Sequence, residues 1–123
     1  MKLIITNTNW ADEMDVYGFE VVSDEAYEIY TEVIELALST AQEFEIYVGS
    51  NESVTVNQNY KQHFTITNLT SDEEKQLKNI FGYTSQGTTM FDRLVDYSLD
   101  HLRDGDEEKY NSLMERLDNL KGS

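Results

Sequence analysis

The chain of 123 residues carries 24 acidic and nine basic side chains, a formal charge of −15, with 39% apolar residues and no cysteine. This length and apolar content fit one domain with a modest core, and without cysteine there is no disulfide, thiolate metal site or cysteine nucleophile. The charge argues against direct binding to nucleic acid or anionic lipid, because both would repel this surface.

The start of the chain and its apolar runs bear on location. After Met1 and Lys2 come only three apolar residues, too few for the apolar segment of a secretory signal. No apolar run approaches the ~20 residues that span a bilayer. We therefore expect a cytoplasmic protein, in the host cytoplasm if a phage encodes it. The absence of proline, linkers and repeats predicts one acidic domain over residues 1–123.

The first forty residues predict two strands and a helix. Apolar residues at 3–5 and at 19, 21 and 22 are typical of short strands. Ser23 is a favourable helix N-cap, and Asp24 and Glu25 suit the positive end of the helix dipole. The helix is expected to run to about Ala41 or Gln42.

The following segment predicts three strands. Apolar and polar side chains alternate over 44–48, 54–57 and 64–67, with polar turns between these stretches. Alternation of this kind is typical of strands that bury one face. The pattern predicts an antiparallel meander with one apolar face.

The C-terminal half predicts helices. Thr70 and Glu73 form a capping-box pattern that opens a short helix ending near Gly82, and a loop is expected over 83–87. Residue 88 or 89 is expected to cap a third helix that ends before Gly105, and a last helix covers 106–120. The predicted class is therefore α+β: two short strands, an amphipathic helix, a three-stranded antiparallel meander, and two or three C-terminal helices.

The most unusual stretch lies between Lys2 and Lys61, where no basic residue occurs. In the predicted helix, acids at spacings of three, four and three fall in one narrow sector: Glu25, Glu28, Glu32 and Glu35. Exposed helices usually mix Glu with Lys and gain ~0.2–0.5 kcal/mol per pair, whereas this helix accepts repulsion. A solvated face and a binding surface both remain open.

A second acidic row lies on the predicted third helix. Arg93 and Arg103 accompany a row of acids that recurs every four residues: Asp92, Asp96, Asp100 and Asp104. Pairing with these arginines would reduce the charge of the row. The pattern favours a solvated helix face over a binding surface.

An acidic helix imitates nucleic acid only if its charge is dense enough. Duplex DNA carries one charge per ~1.7 Å of axis, and four glutamates on a helix with ~1.5 Å rise reach about a third of that density. Further rows are therefore needed, and the candidates are Asp12, Glu13 and Asp15 in a loop, Glu20 on the second strand, and Glu43, Glu45 and Glu52 in the meander. The hypothesis requires these carboxylates to form one patch that no C-terminal base neutralises.

Trp10 lies inside the acidic loop. Its large apolar area favours burial at the edge of the core. Tryptophan is also enriched among the residues that dominate protein interfaces, so an anchor for a partner is the alternative.

The acidic, cysteine-free composition and the stripe Glu25–Glu35 resemble those of nucleic-acid-mimicking inhibitors of defence systems, the anti-restriction and anti-CRISPR proteins. The resemblance is one of composition, without a shared motif. It implies a non-enzymatic inhibitor that occupies the basic nucleic-acid-binding groove of a nuclease or other defence enzyme. On the same grounds the chain is similar to acidic immunity proteins that neutralise basic nuclease toxins. A small enzyme or scaffold whose acidity serves solubility is a further alternative.

Motifs for other chemistry are weak. His63 and His101 have no metal-ligand spacing, residues 104–108 lack the calcium-loop pattern, and residues 82–87 lack the Lys-Ser/Thr of a phosphate loop. Carboxylates suited to acid–base catalysis are abundant, but nothing in the sequence selects one pair. We therefore expect no cofactor, no metal and no catalytic residue, and a basic protein as the partner.

Overall fold

The computed structural model describes residues 1–6, 18–47, 53–82, 85–87 and 90–121. These ranges contain strands, α-helices and one short 3-10 helix in the following order: β1 (Lys2–Thr6), β2 (Gly18–Val22), α1 (Asp24–Ala41), β3 (Phe44–Tyr47), β4 (Ser53–Val56), the 3-10 helix (Tyr60–His63), β5 (Phe64–Asn68), α2 (Ser71–Phe81), β6 (Ser85–Gly87), α3 (Met90–Gly105) and α4 (Glu107–Lys121). The predicted α+β class is confirmed. None of the described helices is both long and apolar enough to cross a membrane.

The strands form a four-stranded antiparallel sheet and a separate hairpin. The sheet has the order β5-β1-β2-β6, and β3 pairs only with β4. The predicted three-stranded meander is therefore wrong in its last pairing, because β5 lies beside β1, with Ile66 opposite Ile4. A turn and the 3-10 helix separate β4 from β5. The backbone N–H of Tyr60 donates to the Asn57 carbonyl and closes the turn, and Tyr60 itself is buried. The chain thus leaves the hairpin before β5 begins.

The opposite edge of the sheet is β6, a strand within residues 83–87, where the sequence predicts a loop. β6 pairs with β2, with Gly87 opposite Gly18. α2 connects the two edges: its 11 residues span about 16 Å at ~1.5 Å per residue, and three interstrand gaps of ~4.8 Å add to about 14 Å. One helix of this length therefore matches the width of the sheet. The threonines at 88 and 89, predicted to cap α3, lie outside the described residues.

The capping signals at the start of α1 and α2 act as predicted. The Ser23 hydroxyl accepts from the backbone N–H of Ala26 at 3.1 Å, and Thr70 and Glu73 form a complete capping box. α1 ends at Ala41 and is capped by Gln42, which has a positive φ of 66° and whose N–H donates to the Leu38 carbonyl. The predicted bounds of α1 are confirmed because both ends satisfy backbone groups locally.

The core has two parts, and α1 contributes to both. In the first, the ring of Phe91 lies 5.4 Å from that of Phe64 on β5 and 6.2 Å from that of Tyr27 on α1, which joins the sheet to the helices. The second part packs α1, α3 and α4 together through these apolar side chains: Ile29, Val33, Leu102, Leu113 and Leu117. Aromatic pairs at these distances stabilise beyond the area that they bury.

α1 and α3 run parallel, and α4 returns antiparallel to both. Tyr27 lies beside Phe91 near the start of the two helices, and Thr40 lies beside Gly105 at their ends. Only Asp106 separates α3 from α4, and its carboxylate accepts from the backbone N–H of Lys109 at 3.2 Å. The chain therefore reverses within one residue.

The close approach at Gly105 generates a stability prediction. A Cβ atom at Gly105 would lie 2.8 Å from Cγ2 of Thr40, so Gly105→Ala is expected to lose the gain of up to ~1 kcal/mol that alanine brings to a helix. In a Thr40→Ser background the methyl group is gone while the hydroxyl that donates to Leu36 remains. In that background Gly105→Ala is expected to stabilise the protein, so the two substitutions should show a coupling energy of ~1 kcal/mol in the free energy of unfolding. Urea unfolding of all four proteins measures this, and equal effects of Gly105→Ala in both backgrounds would contradict the packing described.

Candidate partner-binding surface

The four glutamates of the α1 stripe share one solvent-facing side of the helix. Glu25, Glu28 and Glu35 are exposed and Glu32 is half-exposed, whereas the opposite side of α1 is buried. This side follows from the helical period, because the apolar residues that enter the core leave only one sector for charge. The helical-wheel argument is thus sufficient to place the stripe on α1.

Two of the four glutamates are paired with bases that come from later in the chain. Arg116 Nη1 on α4 lies 2.7 Å from Glu32 Oε2, and Lys61 Nζ on the 3-10 helix lies 3.8 Å from Glu35 Oε1. Each partner is about half-exposed. The condition that no C-terminal base neutralises the stripe is therefore not met in its second half.

The first half of the stripe keeps its charge. No ion pair within the described residues involves Glu25 or Glu28. Glu25 also lies in the first turn of α1, where an acid stabilises the helix dipole. Glu28 lies one turn further on, beyond the range of that effect, so its charge serves no helix end.

The other predicted site residues do not join the stripe. Glu45 is exposed on β3, in the separate hairpin, and Glu43 is exposed just before it. The loop residues Trp10, Asp12, Glu13 and Asp15, and also Glu52, lie outside the described residues. The structure thus gathers the α1 glutamates only.

Glu20 is the clear error among the predicted site residues. It is only 5% exposed, so it offers no charge to a partner. Its place follows from pairing: Glu20 lies directly opposite Ile4, and opposed residues in an antiparallel pair point to the same face. Because Ile4 is buried in the core, Glu20 is buried too. The pairing of β1 with β2 was the missing information.

Buried Glu20 interacts with Asp92 in the first turn of α3. Burial, the hydrogen bond to the Asp92 side chain and the Asp92 charge raise the pKa of Glu20 to about 8, against a smaller opposing effect of a hydrogen bond from the Asp92 backbone. At neutral pH, Glu20 therefore carries a proton and donates it to the Asp92 carboxylate. Its Oε1 is buried without a hydrogen-bond partner within the described structure.

The acidic row of α3 is divided in the same way as the α1 stripe. Near the end of α3, Arg103 lies 3.6 Å from Asp100 and 3.7 Å from Asp104, which confirms the predicted pairing there. Near the start, Asp92 and Asp96 are exposed and have no basic partner within the described residues. Burial and the charges of Asp92 and Asp100 raise the pKa of Asp96, which indicates concentrated negative charge.

The uncompensated acids of the two helices lie at the same end of the helical layer. α1 and α3 are parallel, so their first turns are neighbours, and Tyr30 of α1 senses the charges of Asp92 and Asp96 through a raised pKa, after the larger effect of burial. We call the set Glu25, Glu28, Asp92 and Asp96 the anionic end. The α3 pair was predicted as a solvated face, and the parallel packing of α3 beside α1 puts it at the same end of the layer as Glu25 and Glu28.

A groove adjoins the anionic end between α3 and α4. It holds about 240 Å³ and is lined by Tyr30, Asp92, Val95, Asp96, Leu99, Met114 and Leu117. The acids are exposed, whereas the aliphatic residues and Tyr30 are partly or fully buried. The groove therefore has an apolar floor and an acidic rim. Within the described residues, no cluster of side chains is arranged to hold a metal ion.

The raised pKa of Glu20 predicts a pH-dependent stability. Between its ordinary value of 4.5 and about 8, the folded protein holds a proton that the unfolded chain has released, so stability falls as pH rises through this window. Glu20→Gln, which mimics the protonated acid, is expected to remove that part of the slope and to be more stable than wild type at pH 8. Chemical unfolding at pH 5.5 and pH 8 measures both.

The matched control is Glu45→Gln, an exposed acid on β3, which should leave the slope unchanged. Burial lowers the pKa of His63, so His63 makes stability rise with pH just below its ordinary pKa. This contribution cancels in the comparison because wild type and both variants retain His63. A Glu20→Gln protein with the wild-type slope would show that Glu20 ionises normally in the fold.

Comparison with protein-family models, with curated proteins and with solved structures finds no match to this chain.

Proposed function

We propose that this protein is a non-enzymatic inhibitor that docks its anionic end into the basic nucleic-acid-binding groove of a nuclease or other defence enzyme. The observation that carries the proposal is that four exposed carboxylates near the starts of the parallel helices α1 and α3 have no basic partner within the described residues, on a chain with a formal charge of −15. The corresponding setting is counter-defence of the anti-CRISPR or anti-restriction type, in the cytoplasm of the host cell.

The mechanism is competition for cations that normally bind phosphates. The two acids of each pair are three or four residues apart, about 4.5–6 Å along a helix at ~1.5 Å per residue, against ~3.4 Å of rise per charge on one DNA strand. The anionic end is therefore a sparse imitation of phosphates. Its strength would lie in association, because a strongly negative protein is steered towards a positive groove at low salt.

An immunity protein for a basic nuclease toxin is the second candidate. The groove between α3 and α4 favours it, because an apolar floor suits the side chains of one dedicated protein partner better than it suits imitation of phosphates. Both candidates use the same electrostatics. They differ in selectivity, since an immunity protein binds one toxin and a mimic binds related grooves.

The third alternative, an enzyme, would need a carboxylate pair that reaches a substrate. Among the described carboxyl groups, the one whose pKa is strongly raised is Glu20, which interacts with Asp92 and is only 5% exposed. A buried acid hydrogen-bonded to the first turn of a helix supports a structural role. The proposal therefore assigns Glu20 to the fold and Asp92 to the binding surface.

Neutralising the anionic end is expected to weaken partner binding. Glu25→Gln/Glu28→Gln removes two exposed carboxylates that have no described ion pair, and at ~0.2–1 kcal/mol per exposed pair the affinity should fall about tenfold. Arg116→Gln, which releases Glu32 from its 2.7 Å ion pair, should raise it. The measurement is recovery of a basic nuclease from host lysate at low and high salt, followed by titration of the purified pair.

The matched control is Glu107→Gln/Glu108→Gln. These acids are exposed in the first turn of α4, and because α4 is antiparallel to α1 they lie at the opposite end of the helical layer. The control removes the same net charge and should change affinity by less than about twofold. Equal losses in the two double variants would mean that only net charge matters, and recovery of a metabolic enzyme would reject the inhibitor hypothesis.

A further inference from the structure

The groove between α3 and α4 has the size of a site for one side chain. Its volume of about 240 Å³ is below the ~300–1,000 Å³ of pockets that hold drug-sized ligands and cofactors. Leu99, Met114 and Leu117 supply apolar walls, and Tyr30 closes the groove on the side of α1. The occupant therefore needs an elongated apolar part.

The rim of the groove selects for positive charge at the end of that apolar part. Asp92 and Asp96 lie one helical turn apart and have no basic partner within the described residues. The carboxylate of Asp96 is partly desolvated and repelled by Asp92 and Asp100, which raises its pKa. A cation placed between Asp92 and Asp96 would relieve this repulsion.

We propose that this groove receives a single arginine side chain of the protein partner, an inference that rests on the proposed function. The aliphatic stem lies along the apolar walls, and the guanidinium donates hydrogen bonds to the two rim carboxylates. This arrangement satisfies both parts of the side chain, as expected of an arginine that covers apolar surface while its charge stays paired.

Three features favour arginine over lysine. The guanidinium is planar and carries a fork of donors that can engage two carboxylate groups, whereas the lysine ammonium is a compact point charge. Guanidinium is also more weakly hydrated, so bringing it into a half-buried groove costs less. Finally, Tyr30 lines the groove, and a guanidinium interacts favourably with an aromatic ring.

Glu20 acts here as a positioning residue. It lies behind the rim and is only 5% exposed, and its side chain is hydrogen-bonded to Asp92. Because it is protonated at neutral pH, it holds Asp92 in place without adding a third charge. Its Oε1 is buried without a hydrogen-bond partner in the described part of the chain.

The test compares hexa-arginine with hexa-lysine, two peptides of equal charge. Both are titrated into the full chain at low salt, with binding followed by calorimetry and by NMR of labelled Met and Leu methyl groups. We expect hexa-arginine to bind about fivefold more tightly and to shift the Met114 methyl signal, since the guanidinium makes paired charge-assisted hydrogen bonds that the lysine ammonium cannot make in the same geometry.

Two matched variants of α3 localise the effect. Asp96→Asn should abolish the preference for arginine, and it should fold because it relieves repulsion from Asp92 and Asp100. Asp104→Asn removes the same charge outside the groove, where Asp104 is already paired with Arg103, and it should keep the preference. Thermal unfolding of both variants checks that they are folded.

The outcomes separate this inference from the proposed function. Equal affinity for the two peptides, no shift at Met114, or equal effects of the Asp96 and Asp104 variants would overturn the arginine site. If both peptides then still lost affinity on Glu25→Gln/Glu28→Gln, the anionic end would remain a binding surface. A different outcome is that the double variant leaves binding of the nuclease and the peptides unchanged while hexa-arginine still shifts the Met114 signal. That result would reject the anionic end as a binding surface and retain the arginine site in the groove.

Discussion

Burial of the apolar side of α1 is the interaction on which the rest of the structure depends. Its last turns pack with the sheet, the hairpin and α3 through residues such as Ile34 and Leu38, and its middle packs with α4 through Ile29 and Val33. One helix therefore joins both parts of the core. Because that side must face inwards, every glutamate of the stripe must face out, and the charge of the surface follows from the packing of the core.

The excess of carboxylates over bases determines which carboxylates are paired. The stretch from Lys2 to Lys61 contains no base between its ends, so any compensation must come from other elements. Arg116 and Lys61 reach the second half of α1, and Arg103 serves the end of α3. At the start of α1 the N-terminal ammonium lies 3.3 Å from Asp24, so within the described residues Glu25, Glu28, Asp92 and Asp96 are acids left without a basic partner.

The buried acid at Glu20 shows how the fold tolerates a charge that it cannot expose. Charged carboxylates are costly in a low-dielectric interior, and such groups take up a proton instead. Protonation turns Glu20 into a donor to Asp92, which ties β2 to the start of α3. The same contact orients a carboxylate on the rim of the groove, so a compromise in the core shapes the candidate binding site.

The sequence by itself determined the secondary structure of α1, α2 and α4, the strand segments β1 to β5 and the outward face of the α1 glutamates, because capping, alternation and the helical period are local properties. Tertiary structure alone decided that β5 pairs with β1, that Glu20 is buried opposite Ile4, and that Arg116 neutralises Glu32. It also brought Asp92 and Asp96 beside the start of α1. These are contacts between residues distant in the chain, and alternation or spacing within a segment carries no information about which segment lies next to it.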